Sequence, residues 1–277
     1  YNFNSDGATT TATAKAPYQA KTDRFYAVEG EDKNQLNARD FVVDGDGRAL
    51  PQGTSVKWKD SSLDLSTPGQ KKATLLVTKG SETKEVEYSY TVLGKVKPWE
   101  RNGETGKFYA FKADRGKDGI VGGSYANNIG GNSRLYTNID TLSDVASFKY
   151  EYKLNNSQSA PLTTKDGSPA FSSVWHTTVE SDTDNQPTTH HTTYKIIATY
   201  RQGRFGTASA SDPTLTSSTI FDYTVADPQP KQDISTTVGN IESLKSVIDN
   251  PKTALENANP NVAFPVGSDY NWVSTPD

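Results

Sequence analysis

The chain has 277 residues, no Cys, no Met, a formal net charge of −4 and only 33% hydrophobic residues, with a mean hydropathy of −0.71. Without Cys there is no disulfide framework, thiolate metal site or cysteine nucleophile, and the scattered Lys and Arg lack the electrostatic footprint of a nucleic-acid binder. No apolar run approaches the roughly 20 residues of a membrane-spanning helix, so no membrane insertion is expected of these residues.

The sequence begins at Tyr1 without an initiator Met, shows no basic-then-apolar leader and stops after Pro276-Asp277. We expect a piece of a longer protein, with any targeting signal outside it. The lean apolar content fits several small domains with thin cores better than one large core. Tyr, Thr and Val suit half-buried pleated surfaces and Gly and Pro punctuate them, so the expected class is all-β.

In chain order, residues 1–17 are Thr- and Ala-rich and read as an entry strand or tail. From Tyr18 the pattern sharpens: RFYAVEG is a short strand, EDKNQLNARD a helical turn or loop, and VVDGDGRALP an apolar pair running into a turn. TSVKWK alternates, with Val56 and Trp58 on one face. KATLLVT is an apolar run bounded by Pro68-Gly69 and Gly80-Ser81, and EVEYSYTV puts Val86, Tyr88, Tyr90 and Val92 on one face. These elements make one unit over 18–94, after which LGKVKPWERNGETG reads as a boundary.

A second, larger β domain is expected over 95–230. Its clearest strands are SFKYEYKL, TTYKIIATYRQG with Tyr194, Ile196, Ala198 and Tyr200 aligned, and STIFDYTV. GIVGGSYANNIGGNS and ESDTDNQPTT are expected as long loops. Over 231–277 a Pro-interrupted linker leads into NIESLKSVID, where Ile241, Leu244 and Ile248 have helical spacing up to Asn250-Pro251, and then a second short helix, KTALENA.

The sequence also repeats itself. Aligning Pro51 with Pro265 without gaps places Gly53 on Gly267, Thr54 on Ser268, Val56 on Tyr270 and Trp58 on Trp272. A Pro-x-Gly turn followed by alternating large residues is a physically coherent unit, and repetition in a polar all-β chain points to a modular array rather than an enzyme body. At ALPQGTSVKW, STPGQKKATLLVT and KEVEYSYTV the chain resembles the Rib (Rib/alpha-like) repeats of Gram-positive surface proteins. Leu63-Asp64 stands where that pattern has Pro-Asp, and the approach DFVVDGDGRA is longer. NPKTALENANPNVAFPVGSDYNWVSTPD resembles the first half of another such repeat, without its Thr-Pro-Gly turn and later strands.

The resemblance implies tandem immunoglobulin-like β-sandwich domains, with a short helical segment near the C-terminus, in a cell-wall-anchored extracellular adhesin. It implies neighbouring modules of the same chain as partners. Residues 95–230 carry no such match, and by analogy they are the candidate ligand-binding domain. Intramolecular crosslinks occur in similar stalk domains, and Lys149 with Asp222, both on expected strands, is a candidate pair.

Of the residues that carry chemistry, His176, His190 and His191 all fall in this middle domain. If the stretches flanking Ser181 to Pro187 pair as a hairpin, His176 comes near His190 or Thr192; exposed strand histidines are the simpler reading, and no metal or cofactor is expected. Asp44-Gly45 and Asp46-Gly47 lack calcium-loop spacing and read as turn residues. The Gly-rich loop lacks the Lys-Ser/Thr of a phosphate loop. Its Tyr125, Asn127, Asn128 and Asn132, with Arg134, Tyr136 and Trp175, are the residue types that stack on and hydrogen-bond glycans or peptides. Trp99 is a further aromatic candidate.

No local motif organises a catalytic set, so the expected function is attachment to a host or microbial glycan or protein ligand, with a stalk role, and not catalysis. The alternatives are spacer domains without a ligand and, further off, a wall-associated glycosidase, which needs two convergent carboxylates about 5 to 10 Å apart.

Overall fold

Strand formation follows the alternation of apolar and polar side chains. The computed structural model describes residues 14–60, 62–111, 114, 129–155, 175–177, 190–226, 228, 245, 248–259, 264 and 267–272. The strands are β1 (Tyr18–Ala20), β2 (Phe25–Val28), β3 (Val42–Asp44), β4 (Thr54–Trp58), β5 (Gly69–Lys79) and β6 (Glu82–Leu93). They continue as β7 (Glu100–Arg101), β8 (Glu104–Thr105), β9 (Lys107–Phe111), β10 (Val145–Asn155) and β11 (His190–Tyr200). The short hairpin of β12 (Gln202–Gly203) and β13 (Gly206–Thr207) precedes β14 (Thr216–Ala226), and helix α1 spans Pro251–Ala258. The class is all-β, as expected. The chain divides into two units: the first runs to Gly94 and regains the chain over Arg201–Leu215, and the second takes Lys95–Tyr200 and the chain from Thr216 on. The segment 201–215, read from sequence as part of the 95–230 domain, thus packs in the first unit, and the described part of 231–277 packs in the second.

In the first unit a four-stranded sheet has the order β2-β6-β5-β4, with β2 parallel to β6 and the other pairs antiparallel. Paired β1 and β3, with two 3-10 turns capped by the Asp32 and Asn37 side chains, supply residues to its core. Val86, Tyr88, Tyr90 and Val92 of β6 are all buried, while Glu85, Glu87 and Ser89 between them are exposed. Phe25 stacks on Tyr90 at 5.0 Å and meets Tyr88 edge-on at 5.0 Å. A side chain of this kind contributes about 1.5–3 kcal/mol on full burial.

The same two tyrosines carry their hydroxyls to the rim, where buried polar atoms need partners. Tyr90 Oη accepts from Asp64 N (2.9 Å) and donates to Asp64 O (3.0 Å), and Tyr88 Oη lies 2.8 Å from Thr22 Oγ1. Asp64 in turn accepts from Ser66 N at 2.9 Å and Ser66 Oγ at 2.5 Å. Lys71 Nζ reaches Thr67 Oγ1 at 2.8 Å and Asp64 Oδ2 at 3.2 Å.

The outer edge of β2 is met by the returning segment. Tyr26 N donates to Arg204 O at 2.8 Å, and Arg204 Nη1 donates to Tyr26 O at 2.9 Å. The same guanidinium forms a fork on Glu31, 3.1 Å to Oε1 and 2.7 Å to Oε2, and Glu31 Oε1 also accepts from Val28 N at 2.8 Å. Phe205 packs 5.3 Å from Phe41, with Lys21 Nζ 4.3 Å from its ring centre. Asp212 shapes this hairpin by accepting from Arg204 N (2.7 Å) and Phe205 N (2.9 Å). A Cβ at Gly203 would stand 2.5 Å from the Asp212 carbonyl oxygen, which is why a side chain is not accommodated there.

In the second unit the sheet order is β10-β11-β14-β9, with β9 parallel to β14. Tyr194, Ile196, Ala198 and Tyr200 are fully buried, as their alignment implies. Phe221 stacks between Tyr194 (5.1 Å) and Tyr136 (5.2 Å), and Ile129 and Ile139 join the same core. The stretch read as a linker contains a tight hairpin, β7 with β8, turned at Asn102 (φ 53°) and Gly103 (φ 79°). Asn-Gly with both residues left-handed is a preferred two-residue hairpin turn.

The second copy of the repeat keeps its left-handed glycine and forms no strand over 268–272. Gly267 (φ 82°) has the left-handed backbone of Gly53 (φ 76°). Residues 268–272 form no strand, whereas β4 pairs with β5 along Thr54 to Trp58. Instead Trp272 Nε1 donates to Ile248 O at 2.9 Å, Tyr270 Oη to Glu256 Oε1 at 3.3 Å, and Phe264 stands 6.4 Å from Phe111. The expected KTALENA helix is α1, opened by Pro251; of the expected helix before it, Ile241 and Leu244 lie outside the described residues.

Ser66 and Lys71 hold the Asp64 carboxyl down at about 2, against its ordinary 3.8. A depressed folded-state pKa contributes stability that is full above the unfolded value and lost as pH falls through the folded one. Stability should therefore fall more steeply between pH 3.8 and about 2 in the native chain than in Asp64→Asn. Urea titrations across that window measure the difference, and parallel curves would contradict it.

Candidate functional site

Among the residues singled out from sequence, Tyr125, Asn127 and Asn128 lie outside the described residues. The others are placed by two different parts of the second unit.

Asn132, Arg134 and Tyr136 sit on and beside the 3-10 turn Ser133–Leu135, which the chain fastens firmly. Trp99 N donates to Tyr136 O at 2.8 Å, and Pro98 bridges Thr137. Asn138 works as a clamp: its Oδ1 accepts from Lys97 N (2.8 Å) and its Nδ2 donates to Lys95 O (3.1 Å). The turn therefore follows the 95–99 segment closely. Tyr136 is only 1% exposed and lies amid Phe108, Phe221 and Tyr223, so its ring fills the core and is closed to a ligand. Arg134 is exposed and Asn132 half-buried. Trp99 and Leu135 are 44% and 37% exposed, large apolar side chains left at the surface. Arg101 stands 4.9 Å from the Phe108 ring centre. Leu135 and Arg101 were not singled out from sequence; the Asn102-Gly103 turn signal between the β7 and β8 residues was the readable sign of a structured surface here.

Trp175 belongs to the other face of the sheet. His176 pairs with Tyr152 through two backbone bonds, His176 N to Tyr152 O (2.9 Å) and Tyr152 N to His176 O (3.0 Å), and its ring stacks 5.6 Å from the Tyr152 ring. Tyr152 faces the core; alternation sends its neighbour Lys153 outward, and Trp175 with it. Lys153 Nζ lies 4.5 Å and Lys195 Nζ 5.3 Å from the indole centre, and Lys195 also stands 3.7 Å from Glu151. The half-buried indole is an aromatic shelf rimmed by two ammonium groups and a carboxylate, held by cation–π attraction. Trp175 is thus not brought together with Asn132 and Arg134, whose turn runs against the core face: a Cβ at neighbouring Gly130 would strike the Tyr150 ring at 2.3 Å.

Two pairings open in the sequence are corrected by the register. His176 pairs with Tyr152 of β10 and not with His190 or Thr192 of β11. Its partner Tyr152 is opposite Tyr194, four positions from His190 on the next strand, so at ~4.8 Å between strands and ~3.4 Å per residue the two histidine backbones are about 17 Å apart. Lys149 is opposite Ile197, which is opposite Ser218, again two strands and four positions from Asp222, too far for a crosslink. Asp222 instead accepts from Thr193 Oγ1 at 2.6 Å. Among the described residues no three His, Asp or Glu side chains group as metal ligands. Asp44 accepts from Asp46 N and Arg48 N, both at 2.8 Å, closing its own turn.

Compared with known protein families and with curated proteins, the chain shows no match.

The burial difference separates core from surface. Tyr136→Ala should cost about 3–5 kcal/mol, the range for truncating a buried aromatic, whereas Arg134→Ala should stay within about 0.5 kcal/mol. Denaturant midpoints read both, and similar losses would contradict the placement.

Proposed function

We propose that the chain is part of an extracellular, cell-wall-anchored adhesin of the Rib/alpha-like type, built of immunoglobulin-like modules. Its second unit meets a host or microbial glycan or protein, and its repeated module serves as stalk. The observation that carries the reading is the recurrence of Pro-x-Gly followed by an alternating aromatic strand pattern, with Gly53 and Gly267 in the same left-handed conformation. A glycine held at the same position of a repeated sequence pattern is what a modular array requires. The adhesive half rests on the exposed Trp99, Leu135 and Arg134 surface and on the Trp175 shelf, both rich in side chains that stack and hydrogen-bond at low entropic cost.

The spacer reading has its own support, since Tyr136 is spent on the core and Trp175 is flanked by lysines of its own sheet. Beads coated with the full chain decide between them. They should adhere to epithelial cells or to arrayed glycans and matrix proteins more than albumin-coated beads do, and Trp99→Ala or Trp175→Ala should reduce the adhesion. Adhesion no greater than albumin on every surface would overturn the adhesive half and leave the spacer.

A further inference from the structure

The outer face of the first unit's sheet holds a groove of about 480 Å³. Its origin is a size pattern across three strands. On the central strand β6 the outward positions are Ser89 and Thr91, both small; β5 places Lys72 opposite Ser89 and Gln70 opposite Thr91. On the other side β2 runs parallel with Phe25 opposite Tyr90, which brings Arg24 beside Ser89. Short hydroxyl side chains thus floor a trough whose long walls stand about 10 Å apart at the strand spacing of ~4.8 Å. The volume lies within the roughly 300–1,000 Å³ typical of small-ligand sites.

Most polar groups around it are free of hydrogen bonds, although the Arg24 guanidinium packs 5.7 Å from the Tyr26 ring centre. The Arg24 guanidinium, the Asp23 carboxylate, the Gln70 amide and the Ser89 and Thr91 hydroxyls make no side-chain hydrogen bond or ion pair to the described residues. The remaining long groups are occupied: Lys72 pairs with Glu87 at 3.1 Å, and Lys71 is tied into the Asp64 turn. A guanidinium, an amide and two hydroxyls therefore lie along a trough that crosses the middle of a sheet, where no backbone edge is free for a peptide strand, and Asp23 borders it at the end where its charge also acts on the Tyr88 hydroxyl.

We propose that this trough binds a carboxylated sugar. A carboxylate matches the Arg24 fork bidentately, and ring hydroxyls can donate to Asp23 and exchange hydrogen bonds with Gln70, Ser89 and Thr91. Inorganic phosphate would gain Arg24 but is too small to reach the Gln70 amide and the Ser89 and Thr91 hydroxyls at the same time across walls about 10 Å apart, and a neutral sugar would leave the guanidinium unused. The site is in the first unit and is independent of the second unit's adhesive surfaces, so either can fail while the other stands.

The test is titration of the full chain with sialyllactose and with a glucuronic acid disaccharide, against lactose and inorganic phosphate, followed by amide shifts and calorimetry. Expected are millimolar or tighter binding of at least one acidic sugar, with shifts at Ser89 and Thr91, and weaker binding of lactose and phosphate. Arg24→Gln should weaken binding about tenfold or more, the loss of a charge-assisted pair, with Arg24→Lys intermediate. Ser89→Tyr, at an exposed strand position that tolerates a large ring, should abolish it by filling the floor. Equal or tighter binding of lactose or phosphate, no binding of either acid, shifts confined to other residues, or an unaffected Arg24→Gln would each overturn the proposal. Bead adhesion that persists in Arg24→Gln would locate the adhesive ligand elsewhere without bearing on the trough.

Discussion

Arg204 closes the edge of a sheet that its own neighbouring strands do not belong to. A strand such as β2, paired on one side only, leaves backbone donors and acceptors that invite another chain. Here both groups of Tyr26 are taken by Arg204, and Glu31 ties the guanidinium to Val28 N as well. The detour this requires is plain from the register. Thr199 of β11 lies opposite Thr216 of β14, so a tight turn could have joined them, yet the chain runs out through Arg201–Leu215 and back. A longer loop raises the closure cost only slowly with length, while charge-assisted, partly buried hydrogen bonds are the stronger kind. The first unit is therefore discontinuous in sequence, and its ring cluster gains Phe205 from the same detour.

Around that closed edge, the two faces of the first sheet divide their work. Inward, Tyr88 and Tyr90 pack Phe25 and use their hydroxyls to hold the Thr22 and Asp64 segments. Outward, the same strand shows Ser89 and Thr91, and the contrast with longer neighbours makes a trough rather than a flat surface. In the second unit the stack of Tyr136, Phe221 and Tyr194 absorbs aromatic residues that would otherwise suit a ligand, and leaves Trp99 and Trp175 at the surface on different parts of the sheet. Binding on such a scaffold depends on what the core does not use.

Period-two alternation made much of this readable. β5, β6, β10, β11 and β14 lie where Tyr, Val and Ile alternate with polar residues, because burying one face of a pleated strand imposes that pattern on sequence. Alternation states which face a residue occupies but not which strand lies beside it. That is why Lys149 and Asp222 look like partners in sequence and lie two strands apart, and why a hairpin bringing His176 to His190 or Thr192 stays open in sequence. Edge strand β9 is short and its parallel partner is far along the chain, so Phe108 and Ala110 gave too brief a pattern to read. Tyr136 carries the composition of a binding residue and the position of a core one, which only packing distinguishes. Arg204 and Glu31 are separated by most of the second unit, and nothing local in either stretch announces the pair.

Amide hydrogen exchange of the full chain, native against Arg204→Ala, tests the closed edge most directly. Loss of the guanidinium should speed exchange at Tyr26 and Val28 by about tenfold or more, the worth of a charge-assisted hydrogen bond, while Leu75 and Val77 in the middle of the sheet keep their protection. Unchanged protection at Tyr26 and Val28 would show that the guanidinium does not hold the returning segment against β2.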